Sequence, residues 1–390
     1  MEKRYNRQNT DDLKTAGIFG GKPLVSKYSG DRFFRYFNLL KKAGFGFSIR
    51  KSAIFNYLKL KIGRRSDIIG SKTTYPAIIS VFALKRCNLK CSFCEIVGRY
   101  GAPANWESYE LTPAKFTKIL SLDAVKKALV ICFTGGEPLL NKDLPELVRI
   151  ARKRKYIVGM VTNGLLLQER LEEIKNIGIA DIQLSVYENT KEDLRRILPG
   201  VSQYFPVNVS YVLPRSQLVN GKEDGFNGLT GIIKMCVECG CASFKFNICQ
   251  PNSVTKGLCE TIYTGDKLYD EFVEACKTAL PMLNFSGYGT VKTRLPSRKF
   301  TLFFPQPPQL SKDSMRRNCL SPWAHSAICG NGEYGFCCNV LKLGNIFDDP
   351  NVINCDKARK IRKSLWGGVL PLESECLDCV FLDGAYTTAY

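Results

Sequence analysis

The stretch Tyr75-Pro-Ala-Ile-Ile-Ser-Val-Phe-Ala-Leu84-Lys-Arg-Cys87-Asn-Leu-Lys-Cys91-Ser-Phe-Cys94 decides how this sequence is read. Its apolar part is about half the length a bilayer span requires, so it is expected as a buried strand over 77–84. Three cysteines follow at once on a tight loop. Three thiolates on one loop can bind three irons of a cubane and leave the fourth iron without a protein ligand. A zinc ion would want a fourth ligand, and none lies nearby in the sequence. The bland alternative is three free cysteines at a strand end.

Outward from that loop, the chain has 390 residues with 17 cysteines and a single histidine, His325. That length can bury a full core with room for small additional domains. The charged N-terminus (Met1-Glu-Lys-Arg-Tyr-Asn-Arg7) has no apolar signal region, so a cytoplasmic protein is expected. In a reducing compartment the cysteines read as metal ligands or small buried hydrophobes rather than disulfides. One histidine excludes most His-based zinc and Ser–His–Asp chemistry. Soft thiolate sets then select zinc or iron–sulfur clusters.

From about 76 to 290 the pattern alternates. Strands are expected at 77–84, 128–133, 157–162, 181–186, 207–213 and 243–248. Helices are expected near 112–121, 143–154, 165–176, 190–197 and 229–239. Strand–helix alternation at this spacing implies an α/β fold with a parallel sheet and right-handed crossovers. A doubly wound sheet and an open, three-quarter barrel both fit the periodicity. The Pro-rich stretch around 301–314 suggests a linker, placed at 291–314. A Cys-rich region, 315–390, then holds seven of the seventeen cysteines.

The Cys87–Cys91–Cys94 triplet, the aromatic Phe93, and Thr134-Gly135-Gly136-Glu137-Pro138 after the second strand together resemble the radical S-adenosylmethionine (SAM) superfamily. The resemblance implies a partial (β/α)6 barrel over 76–290 and an oxygen-sensitive 4Fe–4S cluster on the three cysteines. It also implies that the open iron chelates the amino and carboxylate groups of SAM. Reductive cleavage then gives a 5′-deoxyadenosyl radical that abstracts hydrogen from a substrate. Gly135 and Gly136 suit a backbone edge close to the ligand, and Glu137 is the expected acceptor for the methionine ammonium. Asn163 and Ser185, at the ends of the third and fourth strands, are expected to face the ribose or carboxylate. A reductant such as flavodoxin or ferredoxin is implied.

Further along, Cys319, Cys337, Cys376 and Cys379, with Ser321-Pro-Trp323 and Leu343-Gly-Asn-Ile346, resemble the SPASM/Twitch extension of these enzymes. A full SPASM domain would continue with two more cysteines after Cys379. Their absence points to a shorter, one-cluster Twitch type with those four ligands and an electron-transfer role. A four-Cys structural zinc stays open for this region. Cys236, Cys239 and Cys241 are read as small buried hydrophobes. His325 is read as a packing or hydrogen-bonding residue.

Residues 1–75 hold 12 of the 20 net positive charges. Their aromatic and basic stretches read as barrel packing, as a peripheral contact with anionic membrane near a lipid-linked substrate, or as a polyanion patch. No RNA-binding module signature occurs, and no nucleic-acid partner is expected. The first expectation for the substrate is a sugar, aminocyclitol or glycan/lipid-linked precursor, dehydrogenated or epimerised. The second is a ribosomal peptide undergoing maturation. Outside catalysis the competing reading is a zinc-stabilised α/β binding protein.

Overall fold

Apolar β-branched runs separated by amphipathic helical stretches fold here as the alternation requires. The computed structural model describes residues 76–94, 96–97, 103–249, 260–263, 265–283, 289–295, 298–304, 307, 321–336 and 342–366. The region 1–75, including the expected membrane contact, lies outside the described residues, as do Cys319, Cys337, Cys376 and Cys379. Six strands form the centre: β1 (Ile78–Leu84), β2 (Val130–Gly135), β3 (Ile157–Thr162), β4 (Asp181–Val186), β5 (Val207–Leu213) and β6 (Ser243–Ile248). Between and after them run α1 (Pro113–Ser121), the short α2 (Asp123–Lys126), α3 (Leu144–Lys153), α4 (Leu167–Ile174), α5 (Lys191–Val201), α6 (Arg215–Lys222), α7 (Asn227–Glu238) and α8 (Lys267–Ala279). Thr112 caps α1 by accepting the Lys115 N–H, with Pro113 at the first helical position.

Strands β1 to β6 lie side by side in chain order, all parallel. A doubly wound sheet reverses its strand order at a switch point, and this one does not. The consecutive order is that of a singly wound partial barrel.

Alternate residues of each strand are buried in one core shared with the helices. Examples are Ile79 and Val81 of β1, Ile131 and Phe133 of β2, and Ile182 and Leu184 of β4. The opposite face, inside the barrel, differs along the sheet. On β1–β3 it carries mainly apolar or small side chains such as Ile78, Phe82, Val130 and Val161. On β4–β6 the registers Gln183–Asn208–Ser243 and Ser185–Ser210–Lys245 make it polar. Asn208 bridges Asp181 and Ser243, and Asn247 hydrogen-bonds Ser210.

Both edges of the sheet are extended. Beyond β6 lies β8 (Arg298–Phe304), parallel to it, and then β7 (Gly289–Leu295), antiparallel to β8. Much of the expected 291–314 linker is therefore strand. The reason is a period-two pattern: Phe300, Leu302 and Phe304 are buried while 301 and 303 are half-buried. Phe304 joins the aromatic core with Phe246 and Phe272.

Beyond β1 lies β9 (His325–Cys329), also parallel, followed by the antiparallel β10 (Glu333–Gly335) and β11 (Lys342–Asn345). Part of the Cys-rich region thus continues the barrel sheet. His325 is buried, and its Nε2 lies 2.8 Å from Ser80 Oγ on β1. The helices α9 (Ser321–Ala324) and α10 (Asp356–Trp366) flank this module. Cys236 and Cys241 are fully buried and hydrogen-bonded to each other, in keeping with a packing role. Among the described residues no helix is long and apolar enough to cross a membrane.

Candidate metal and cofactor site

β1 ends at Leu84, and the next residues are held in place by the turn after β2. Gly136 N–H donates to Leu84 O at 2.9 Å, and Glu137 N–H to Arg86 O at 2.9 Å. A Cβ on Gly135 would lie 2.4 Å from Leu84 O, and one on Gly136 would lie 1.9 Å from Arg86 O. The two glycines were expected to make room for a ligand. They also make room for the backbone leading into the cysteine loop: the φ of +126° at Gly135 and the close carbonyls at both positions leave no space for a larger residue. Arg86 is braced outside the loop by Glu110 at 3.1 Å, by Leu140 O at 3.3 Å and by the Trp106 ring.

Within the loop, Cys94 N–H donates to Cys91 O at 3.1 Å, and Leu89 N–H approaches Cys87 Sγ at 3.4 Å. The three thiols are half-buried. Burial, and then the charges of Cys94 and Cys87, push Cys91 up to about 12, while a hydrogen bond from Tyr187 opposes the shift. Burial raises Cys87 as well, opposed first by the Leu89 N–H. Cys87 and Cys91 resist ionising, and a cationic centre such as a metal favours their thiolates. Among the described residues no three acidic, His or Cys groups converge on a single-ion point. A cubane does not ask for that, because each thiolate takes its own iron. The donor set therefore fits a cluster better than one ion.

The ends of the next two strands reach the loop. Asn163, just after β3, donates from Nδ2 to Asn88 Oδ1 at 2.7 Å and lies 3.8 Å from Cys87 Sγ. Beyond β4, the Tyr187 ring lies 5.6 Å from that of Phe93, and Ser185 hydrogen-bonds the Tyr187 hydroxyl. Glu137 is fully buried. Its carboxylate accepts from Leu139 N–H at 3.0 Å, Thr162 Oγ1 at 2.7 Å and Asn163 N–H at 2.8 Å. It ties the β2 turn to the end of β3 and so positions Asn163. Both of its oxygens thus serve the chain.

Phe93, Gly135, Gly136, Glu137, Asn163 and Ser185 thus gather around Cys87, Cys91 and Cys94. Sequence reading missed Asn88 and Tyr187. Their signal was positional: each is next to a recognised residue or at a strand end, where parallel α/β barrels place their sites. Arg195 and Arg196, on α5, are exposed and paired with Glu192 and Asp193 on the same helix.

Comparison with known proteins agrees with this geometry. Residues 82–204 match the family model described as "Radical SAM superfamily", from the end of β1 past α5. The "PqqA peptide cyclase" of Granulibacter bethesdensis is 31% identical over 152 residues, covering 35% of this chain and 39% of that protein. The "GTP 3',8-cyclase" of Aquifex aeolicus is 31% identical over 152 residues, covering 38% and 45% respectively. The chain spans less than half the length of these curated relatives. Among solved structures, SuiB of Streptococcus suis bound to S-adenosylmethionine gives a TM-score of 0.51 at 17% identity, over 80% of this chain and 72% of that one. SuiB bound to its precursor peptide SuiA gives 0.50 at 17% identity, over 92% and 85%. These likenesses concern the fold. With a three-cysteine loop after the first strand, a Gly-Gly-Glu turn seated against it and a family match from the end of the first strand past the fourth, residues 82–204 form a radical SAM domain.

Proposed function

We propose that the chain is an enzyme that holds a 4Fe–4S cluster on Cys87, Cys91 and Cys94 and binds SAM beside it. What carries the reading is the convergence of the β2, β3 and β4 ends on one cysteine loop. When bound, cluster and SAM supply a one-electron cleavage that delivers a 5′-deoxyadenosyl radical to a substrate C–H bond. The chain's own residues set the stage. Phe93 and Tyr187 wall the loop, Asn163 and the Leu89 N–H point toward Cys87 sulfur, and Glu137 fixes the β2–β3 corner. Hydrogen bonds to cluster sulfurs are one of the means by which a protein sets cluster potential. A reductant such as flavodoxin or ferredoxin would supply the electron. A second cluster on Cys319, Cys337, Cys376 and Cys379 would move electrons, since four protein ligands leave no iron open to substrate.

The polar inner face of β4–β6 supports a substrate rich in hydrogen-bonding groups. A sugar or aminocyclitol is the first reading on that ground. A peptide is the second, favoured by the identity with a peptide cyclase over the barrel region.

Anaerobic reconstitution tests the whole. About eight irons and no zinc per chain are expected, with SAM cleaved to 5′-deoxyadenosine under dithionite. The Cys87→Ala/Cys91→Ala/Cys94→Ala chain should stay soluble and lose cleavage altogether. Undiminished 5′-deoxyadenosine from that variant refutes the assignment. Four irons and one zinc would make the C-terminal centre structural. Stimulation of cleavage by aminocyclitols or by candidate peptides separates the two substrate readings.

A further inference from the structure

One row of residues crosses four neighbouring strands in register: Ser185 of β4, Ser210 of β5, Lys245 of β6 and Phe303 of β8. Along β6 the buried Phe244, Phe246 and Ile248 enter the core behind the sheet, where Phe246 packs on Phe272 of α8. The intervening Ser243, Lys245 and Asn247 therefore face the barrel interior, and each stays half-buried there. Phe303 is likewise half-buried, between the fully buried Leu302 and Phe304.

The first member sets the height of the row. Ser185 hydrogen-bonds the Tyr187 hydroxyl, which in turn hydrogen-bonds Cys91. Lys245 stands at the same level two strands away, about 10 Å from Ser185 at the usual strand spacing. The six strands β1–β6 contain two charged residues, Asp181 and Lys245. Asp181 opens β4 at its other end, about 13 Å before Ser185 along the strand. Among these strand residues, the end of the barrel nearest the cysteine loop thus presents a single cation. Around it are hydroxyls and amides, with Asn247 hydrogen-bonded to Ser210, and on its far side lies the Phe303 ring.

That set of groups discriminates by charge. Lysine is depleted in strands, and a cation facing a low-dielectric interior gains most from an anion. A charge-assisted hydrogen bond is roughly twice as strong as a neutral one. The neutral groups beside it suit hydroxyls, and the aromatic ring suits an apolar C–H face. A substrate ammonium meets like charge here and is disfavoured.

We infer that Lys245 is a specificity-determining residue that selects a polyhydroxylated ring carrying a carboxylate or phosphate and rejects a cationic aminocyclitol. This rests on the reading that the substrate enters the barrel of a SAM-cleaving enzyme, and it divides the sugar and aminocyclitol candidates by their charge.

The test uses the full chain, reconstituted anaerobically and saturated with SAM, with glucuronate, glucose 1-phosphate, glucose and glucosamine as probes. Calorimetry reports binding. Glucuronate or glucose 1-phosphate should bind about tenfold tighter than glucose, the tighter of the two identifying the anion, and glucosamine more weakly than glucose. Lys245→Met should erase that preference, and Lys245→Arg should keep most of it. Anionic and neutral probes bound alike by the wild type, or no probe bound at all, overturn the inference. So does an anion preference that survives in Lys245→Met. A fall in SAM affinity as large as the fall in probe affinity assigns the ammonium to the cofactor and overturns it as well. If Lys245→Met does not fold, Lys245→Gln takes its place, and insolubility of both assigns Lys245 to the fold alone and overturns the inference. A wild type that prefers the anionic probes yet forms no 5′-deoxyadenosine under dithionite removes the enzyme reading and leaves the charge selection standing.

Discussion

The loop of Cys87, Cys91 and Cys94 and the C-terminal module around β9–β11 are both candidate metal centres, and the chain supports them by different means. Around the first, Gly136 and Glu137 hold 84–86, Asn141 donates to Ala83 O and Leu111 O, Glu137 meets three donors, and Arg86, whose buried Nε makes no hydrogen bond, has its charge met by Glu110. In the second, β9 is anchored to β1, yet Arg362 keeps a buried guanidinium nitrogen with nothing to bond. The barrel pre-forms its site from its own hydrogen bonds. The C-terminal module retains a charge that the described protein groups leave uncompensated. Metal binding should therefore matter more to the stability of the second than of the first.

The strongest challenge to this contrast is Gly136→Ala. The added Cβ meets a backbone carbonyl, which cannot swing away as a side chain could. We expect destabilisation by about 3 kcal/mol or more, with loss of iron from the first site. Urea unfolding together with iron analysis checks this, and a chain of normal stability with a normal first cluster would show that the β2 turn does not organise the loop.

Next is Glu137→Gln. A buried carboxylate that accepts three hydrogen bonds becomes an amide with two donors, one of which must face an existing donor. About 2 kcal/mol should be lost, with SAM affinity falling more than cluster assembly. Equal affinity for SAM in variant and wild type would confine Glu137 to positioning Asn163.

His325 probes the join between the two regions. Burial lowers it from 6.5 to about 4, partly offset by a hydrogen bond to the Phe336 backbone. Between those values the unfolded chain binds a proton that the folded chain refuses, so stability falls as pH falls through this window. Near pH 5 the loss should be about 2 kcal/mol relative to pH 7, and His325→Gln should flatten that slope. Identical slopes for variant and wild type in urea melts would mean that other groups set the acid limit.

The smallest expected effect belongs to Tyr187→Phe. Cys91 loses a hydrogen bond that favours its thiolate, so cluster loading should need a higher pH, at a cost of about 1 kcal/mol. The rate of cluster assembly against pH reports it, and a superimposable profile would remove Tyr187 from the site.

Much of the barrel was legible in sequence because its signals are local. The runs at 157–162, 181–186, 207–213 and 243–248 coincide with β3 to β6, since a short β-branched run bounded by turns specifies a strand with little help from afar. The cysteine spacing and the Gly-Gly-Glu turn were equally local, and they marked the site. What the glycines and Glu137 touch was not legible, because Arg86 lies 50 residues from Gly136 and Thr162 lies 25 from Glu137. The single winding of the sheet depends on which strands lie side by side, which periodicity does not encode. The joining of β9 to β1, sealed by a hydrogen bond between residues 245 apart in sequence, had no local signature at all. Residues and spacing determined the chemistry this chain can hold. Tertiary structure decided which faces that chemistry meets, because burial, backbone contact and uncompensated charge arise only when distant segments come together.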